Sequence, residues 1–152
     1  MKKFPRYIYR GLRHEEIIAG CVLIPKAQRP FLAHPRLPIT LPFNLGENLE
    51  HAVREHQWVE KEETSGELKP LFETSGVSTT PHYYRAMHYA KNKVIVKIDT
   101  IVFEMVGILA YVVSDYIDRD RICVPEDDEI ILVCGKENPF PKKIVAEIVL
   151  LS

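Results

Sequence analysis

The crowding of short apolar runs into the last third of the chain most constrains its fold. Lys93 to Asp99 alternates Val94, Val96 and Ile98 against Lys93, Ile95 and Lys97, the two-residue period of a half-buried strand. Phe103 to Val113 is apolar enough for one or two buried strands. Glu129 to Val133 and Ile144 to Leu151 read as two further strands. Gly135 to Lys143, with Pro139 and Pro141, joins those two as a hairpin-like turn.

The earlier part of the chain mixes helical and extended patterns. Phe4 to Tyr9 is a short strand ending at Arg10-Gly11. Arg13 to Gly20 is a short helix with acids in its first turns and a terminal glycine, and Cys21 to Ile24 leads out of it. Pro25 to Leu45 holds five prolines and little periodicity, as in a long ordered loop. Leu49, Ala52 and Val53 lie opposite Glu50, Arg54 and Glu55, which predicts a helix from about Gly46 to Val59. Glu60 to Pro70 is charged and reads as a loop; Leu71 to Thr79 follows as a strand. Pro81 to Tyr89 reads as a helix, with Pro81 in its first turn and Thr80 as its cap. Helices early and strands late indicate an α+β architecture rather than a doubly wound sheet. At 152 residues the chain suits one domain, 1–152.

Composition narrows the function classes. A chain that is 46% hydrophobic and 27% charged is of globular type. Its formal net charge of -1 offers no global basic field for nucleic acid. Cys21, Cys123 and Cys134 form no C-x-x-C pair and sit among apolar neighbours, so they read as small core residues in a reducing compartment. No apolar run approaches the ~20 residues that span a bilayer. Lys2 and Lys3 are followed by Pro5, Arg6 and Arg10 where a signal peptide needs an apolar centre. The chain reads as cytoplasmic, without a membrane partner, and delivery to another cell by a signal-less route is compatible with it.

Three polar motifs carry the chemistry. Arg10, at the end of the first strand, can fork two donors onto a phosphate, and Gly11 permits close approach of backbone or ligand. A surface arginine beside a turn glycine would look the same. Ser78, Thr79 and Thr80 form a hydroxyl cluster in which Ser78 and Thr80 share one face of an extended chain. Thr80 is also a natural cap for the helix at Pro81, which leaves Ser78 as the better ligand candidate.

Glu126 to Glu129 are four successive acids abutting an apolar strand. If extended, Asp127 and Glu129 share a face about 6–7 Å apart. One carboxylate can then hold ligand hydroxyls while the other engages a nucleophile. A carboxylate beside an anomeric carbon also stabilises an oxocarbenium-like transition state. A solvated acidic turn is the plainer alternative, and no second acid cluster supports a metal. Tyr83, Tyr84 and Tyr89 offer rings for stacking on a nicotinamide or adenine, or simply for packing.

Together, Tyr9-Arg10-Gly11, Gly76-Val77-Ser78-Thr79-Thr80 and Asp127-Asp128-Glu129-Ile130-Ile131-Leu132 resemble, in kind and order, the ADP-ribosyltransferases of the arginine–serine–glutamate class, which includes cholera-toxin-like and clostridial-type toxins. The resemblance implies a split β-sandwich with short flanking helices and NAD as substrate, without a metal. It implies that Arg10 holds the NAD phosphate, with Gly11, Thr79, Thr80 and Tyr84 lining the NAD site. Ser78 would position the nicotinamide ribose. Glu129 would bind its 2′-hydroxyl and stabilise the cation as nicotinamide departs. Asp127 would engage the acceptor, one methylene shorter than the glutamate or glutamine found there in many members. The implied reaction is mono-ADP-ribosylation of a protein or nucleic-acid acceptor by a toxin-like effector, with an immunity or inhibitor protein as a further partner. NAD glycohydrolysis, or a catalytically silent nucleotide- or protein-binding domain, would use the same frame.

Overall fold

The computed structural model describes residues 4–25, 59–61, 68–70, 76–134 and 139–152. Among these, strands run over Tyr7–Gly11 (β1), Val59–Lys61 (β2), Leu68–Pro70 (β3), Val77–Thr79 (β4), Val94–Asp99 (β5), Ile108–Val112 (β6), Ile130–Cys134 (β7) and Val145–Leu150 (β8). Helices cover His14–Ile18 (α1), Tyr83–Tyr89 (α2) and Phe103–Val106 (α3). The fold is mixed α and β, with short helices and two small antiparallel three-stranded sheets, ordered β1-β5-β8 and β4-β7-β6.

Alternation along the strands builds the layers. Val94, Val96 and Ile98 of β5 point with Ile8 into a core shared with Val77, Ile108, Ile130 and Leu132 of the other sheet. Each such side chain, fully buried, stabilises the fold by about 1.5–3 kcal/mol. Ile95 points the opposite way and is covered by Ala86 and Ala90, so α2 lies on the outer face of the first sheet. Ile131, likewise reversed from its neighbours, packs with Tyr111, Val113 and Ile117 on the outer face of the second sheet. The sheets are stitched where β1 meets the end of β4: Tyr9 N donates to Thr80 O at 2.7 Å and Thr80 N to Tyr9 O at 3.0 Å.

Several sequence expectations need correction. Phe103 to Val113 is not strand throughout. Its first part is the single turn α3, ended by Gly107 in the left-handed region (φ 73°), and β6 begins after it. Apolar periodicity cannot separate a buried helical turn from a buried strand over so few residues. The charged stretch expected as a loop, Glu60 to Pro70, takes in Glu60 and Lys61 of β2 and all of β3, paired antiparallel with Val59 opposite Pro70. Three-residue strands fall below the length at which a two-residue period can be read.

The helix expected over 46–59 lies outside the described residues up to 58, and Val59 opens β2. The loop expected over 25–45 lies outside them beyond Pro25, as do 71–75 of the strand expected to end at Thr79 and 135–138 of the expected turn. Cys123 is exposed rather than a core residue, while Cys21 and Cys134 are half-buried.

The joint between β1 and α2 has no spare room. A Cβ built on Gly11 would sit 2.8 Å from both Ala90 Cα and Ala90 N, and 3.0 Å from the Ala86 carbonyl. All three are backbone atoms, so no side chain can swing aside. Gly11→Ala should therefore lower stability by about 1–3 kcal/mol, seen as a lower urea midpoint at unchanged slope.

Candidate active site

Arg10 shares the strand face of fully buried Ile8, so its side chain is directed inward and is only 13% exposed. A guanidinium held there needs a counter-charge. Glu16 supplies it from α1, with its side chain completely buried. Arg10 Nη2 donates to Glu16 Oε1 at 2.9 Å and Arg10 Nε to Oε2 at 3.0 Å, a bidentate pair.

The backbone completes the shell of Glu16: Arg13 N donates to Oε1 at 2.9 Å and Ile24 N to Oε2 at 3.1 Å. The first of these is also a helix cap, a third-position glutamate reaching back to the residue before the helix. Burial alone would push the Glu16 carboxyl up. The Arg10 guanidinium and the two amides overcome that and hold it below the ordinary carboxylate range.

From this pair a chain of contacts crosses to the second sheet. Arg10 Nη1 donates to the Ser78 carbonyl at 2.9 Å, and Ser78 Oγ donates to Glu129 Oε2 at 2.8 Å. Arg10, Ser78 and Glu129 come from β1, β4 and the residue before β7, yet they are linked within two hydrogen bonds. The register sets this up: Ser78 lies opposite Ile131 and Thr79 opposite Ile130, which brings the start of β7 beside the hydroxyl cluster.

The other residues singled out in the sequence have different surroundings. Thr79 Oγ1 donates to the Ile130 carbonyl at 2.7 Å, tying β4 to β7. Thr80 Oγ1 donates to the Asp127 carbonyl and accepts from His82 N at 3.1 Å. The expected cap role of Thr80 is thus partly realised, although α2 begins at Tyr83, after His82. Gly11 is filled against Ala90, so the close approach it allows is to the chain's own helix. Tyr84 is 63% exposed, its ring 5.5 Å from that of His82.

Asp127 and Glu129 do not lie in one extended segment. Asp127 closes the 3-10 turn Pro125–Asp127, and Asp128 follows in the left-handed region (φ 47°, ψ 49°). Proline in the first position favours that turn, and the kink breaks the two-residue period that would have put the two acids on one face.

Asp127 is instead buried against α2. Its Oδ1 accepts from Arg85 Nε at 2.6 Å and its Oδ2 from the Tyr89 hydroxyl. Burial, and then the Asp127 carboxylate, push the Tyr89 phenol up to about 12. Asp128 Oδ2 lies 2.6 Å from His82 Nε2, and Arg119 Nη1 donates to its Oδ1 at 3.3 Å. That His82 bond comes first in holding the Asp128 carboxyl below its ordinary range, with Arg119 helping against burial.

Three residues that matter here, Glu16, Arg85 and His82, have no place among the sequence candidates, and Tyr89 enters there only as a ring. Glu16 was legible only as an acid in a first turn, although its spacing from Arg13 is a capping signal. Arg85 and Tyr89 are four apart on a helix, so both reach the same neighbour. His82 carried no sequence signal. Among the described residues no three His, Cys, Asp or Glu side chains gather as a metal site, and no helix is long and apolar enough to cross a membrane. No family model, curated protein or solved structure matches the chain.

Removing one partner of a buried pair leaves the other charge uncompensated. Glu16→Gln should destabilise the fold by about 3–5 kcal/mol in urea at neutral pH. Because the folded carboxyl is held low, its contribution is present above the unfolded value of about 4.3 and is lost as pH falls through the lower folded value. The gap between wild type and Glu16→Gln should therefore narrow as urea midpoints are measured at successively lower pH below about 4.3.

Proposed function

We propose that this chain is an ADP-ribosyltransferase that cleaves the N-glycosidic bond of NAD and passes ADP-ribose to a macromolecular acceptor. The observation that carries the reading is the link from Arg10 through the Ser78 carbonyl, and from the Ser78 hydroxyl to Glu129 at 2.8 Å. A guanidinium, a hydroxyl and a carboxylate drawn from three distant segments meet at the joint between two sheets. The paired sheets also agree with the split sandwich that the three motifs imply.

In this reading each group has a distinct task. Glu129 accepts a hydrogen bond from the 2′-hydroxyl of the nicotinamide ribose, and its charge stabilises the cation that develops at C1′. Ser78 holds the Glu129 carboxylate in one orientation before substrate arrives, so little reorganisation is needed during reaction. Arg10 directs Nε, Nη1 and Nη2 each to a protein acceptor. Its remaining two N–H bonds are those suited to a phosphate oxygen. Glu16 fixes the guanidinium plane and thereby the direction of those donors.

Losing one aligned charge at such a site costs on the order of 3–4 kcal/mol of transition-state stabilisation. Glu129→Gln should therefore slow nicotinamide release by about two to three decades, with the far-ultraviolet dichroism unchanged. A variant that releases nicotinamide at the wild-type rate would remove Glu129 from the mechanism.

A further inference from the structure

We propose that Arg85 and Tyr89, on α2, are positioning residues for this site: through Asp127 they hold the strained turn that aims the Glu129 carboxylate. The role rests on NAD cleavage at Glu129 as proposed above, and it adds to that site two residues that act through another.

Glu129 stands one residue outside β7. The pairings of that strand with β4 and β6 reach Ile130, opposite Thr79 and Val112. On its C-terminal side Glu129 is held by this ladder and by its own carbonyl, which accepts from Val113 N at 3.1 Å. On its N-terminal side it follows Asp128, a non-glycine residue in the left-handed region (φ 47°, ψ 49°). A residue with a Cβ is strained there, and the conformation persists where its surroundings over-determine it. The direction in which the chain enters Glu129 therefore depends on what grips the turn Pro125–Asp127.

Helix α2 is the foundation of that grip, with Ala86 and Ala90 buried against Ile95 of the first sheet. Arg85 and Tyr89, each one position earlier, stand four apart and reach the same neighbour. The Arg85 guanidinium also lies 5.7 Å from the centre of the Tyr89 ring, which draws the two together. Arg85 Nε donates to Asp127 Oδ1 at 2.6 Å and the Tyr89 hydroxyl to Oδ2. Burial, and then the Asp127 carboxylate, push the Tyr89 phenol up to about 12, so it remains a donor at neutral pH. The Asp127 and Arg85 side chains are only 12% and 17% exposed, and bonds between charged groups so withdrawn from water are strong. Thr80 Oγ1 holds the Asp127 carbonyl and His82 the Asp128 carboxylate, so the turn is pinned on both sides of the peptide that joins them. Releasing either Asp127 oxygen lets the strained turn relax and carries the Glu129 carboxylate away from the Ser78 hydroxyl.

The test compares Arg85→Met and Tyr89→Phe with the wild-type full chain, each assayed well below its urea midpoint. Tyr89→Phe removes one oxygen and keeps the ring, so it leaves the fold least disturbed. With NAD as substrate, kcat for nicotinamide release should fall about ten- to a hundredfold in Arg85→Met and by a smaller factor in Tyr89→Phe. KM should stay within about twofold of wild type, because the lost alignment is felt in the transition state. A second readout does not depend on turnover. In protein labelled with carbon-13 at the glutamate carboxyls, the Glu129 signal, identified by its loss in Glu129→Gln, should move in both variants. A Glu129 signal that stays in place in both, or a wild-type kcat in both, would overturn the positioning role. Wild-type protein that releases no nicotinamide would instead end the reading of NAD cleavage, with the Glu129 signal still deciding whether Arg85 and Tyr89 set its carboxylate.

Discussion

The buried pair of Arg10 and Glu16 is the contact on which the candidate site depends. A charged arginine at the end of β1 would be costly under the second sheet without a partner. Glu16 provides that partner with all four of its bonds made, two to Arg10 and two to the amides of Arg13 and Ile24. The same carboxylate therefore closes α1, fixes the chain as it leaves that helix and orients Arg10. The Arg10 bond to the Ser78 carbonyl carries this order to β4. A surface version of the pair would be worth little; burial and saturation make it an organising contact.

A second set of contacts positions the acidic segment. Thr80, Arg85 and Tyr89 hold Asp127, His82 holds Asp128, and Ser78 holds Glu129. Three consecutive residues are thus gripped by β4, by α2 and by the turn between them. Asp128 in the left-handed region reverses the local direction of the chain, which turns Asp127 into the protein. Two acids that look equivalent in sequence are in this way given different work. One ties a loop to a helix, and the other sits at the end of the contact chain from Arg10.

The strand pattern was legible because burial writes itself into alternation. Val94, Val96 and Ile98 announced their common face, and they occupy it in the core between the sheets. Their neighbour Ile95 looked like part of the polar face and is instead covered by α2, because both faces of this sheet are packed. Alternation cannot report a second buried face.

The meeting of Arg10, Ser78 and Glu129 was anticipated from motif order. Arg10's main partner was not, since an acid in a first helical turn reads equally well as a dipole effect. Asp127 and Glu129 were expected side by side on the premise of an extended chain, and a proline-led turn removes that premise. Contacts made through tertiary approach, such as that of His82 with Asp128, leave no local trace in sequence.

The most direct measurement is a crystal structure of the chain with NAD or a non-hydrolysable analogue. The account predicts the nicotinamide ribose within hydrogen-bond distance of the Glu129 carboxylate, a phosphate oxygen at the Arg10 guanidinium, and the Arg10–Glu16 pair intact. A dinucleotide bound on another surface, or saturating NAD that leaves the Arg10, Ser78 and Glu129 side chains uncontacted, would contradict it.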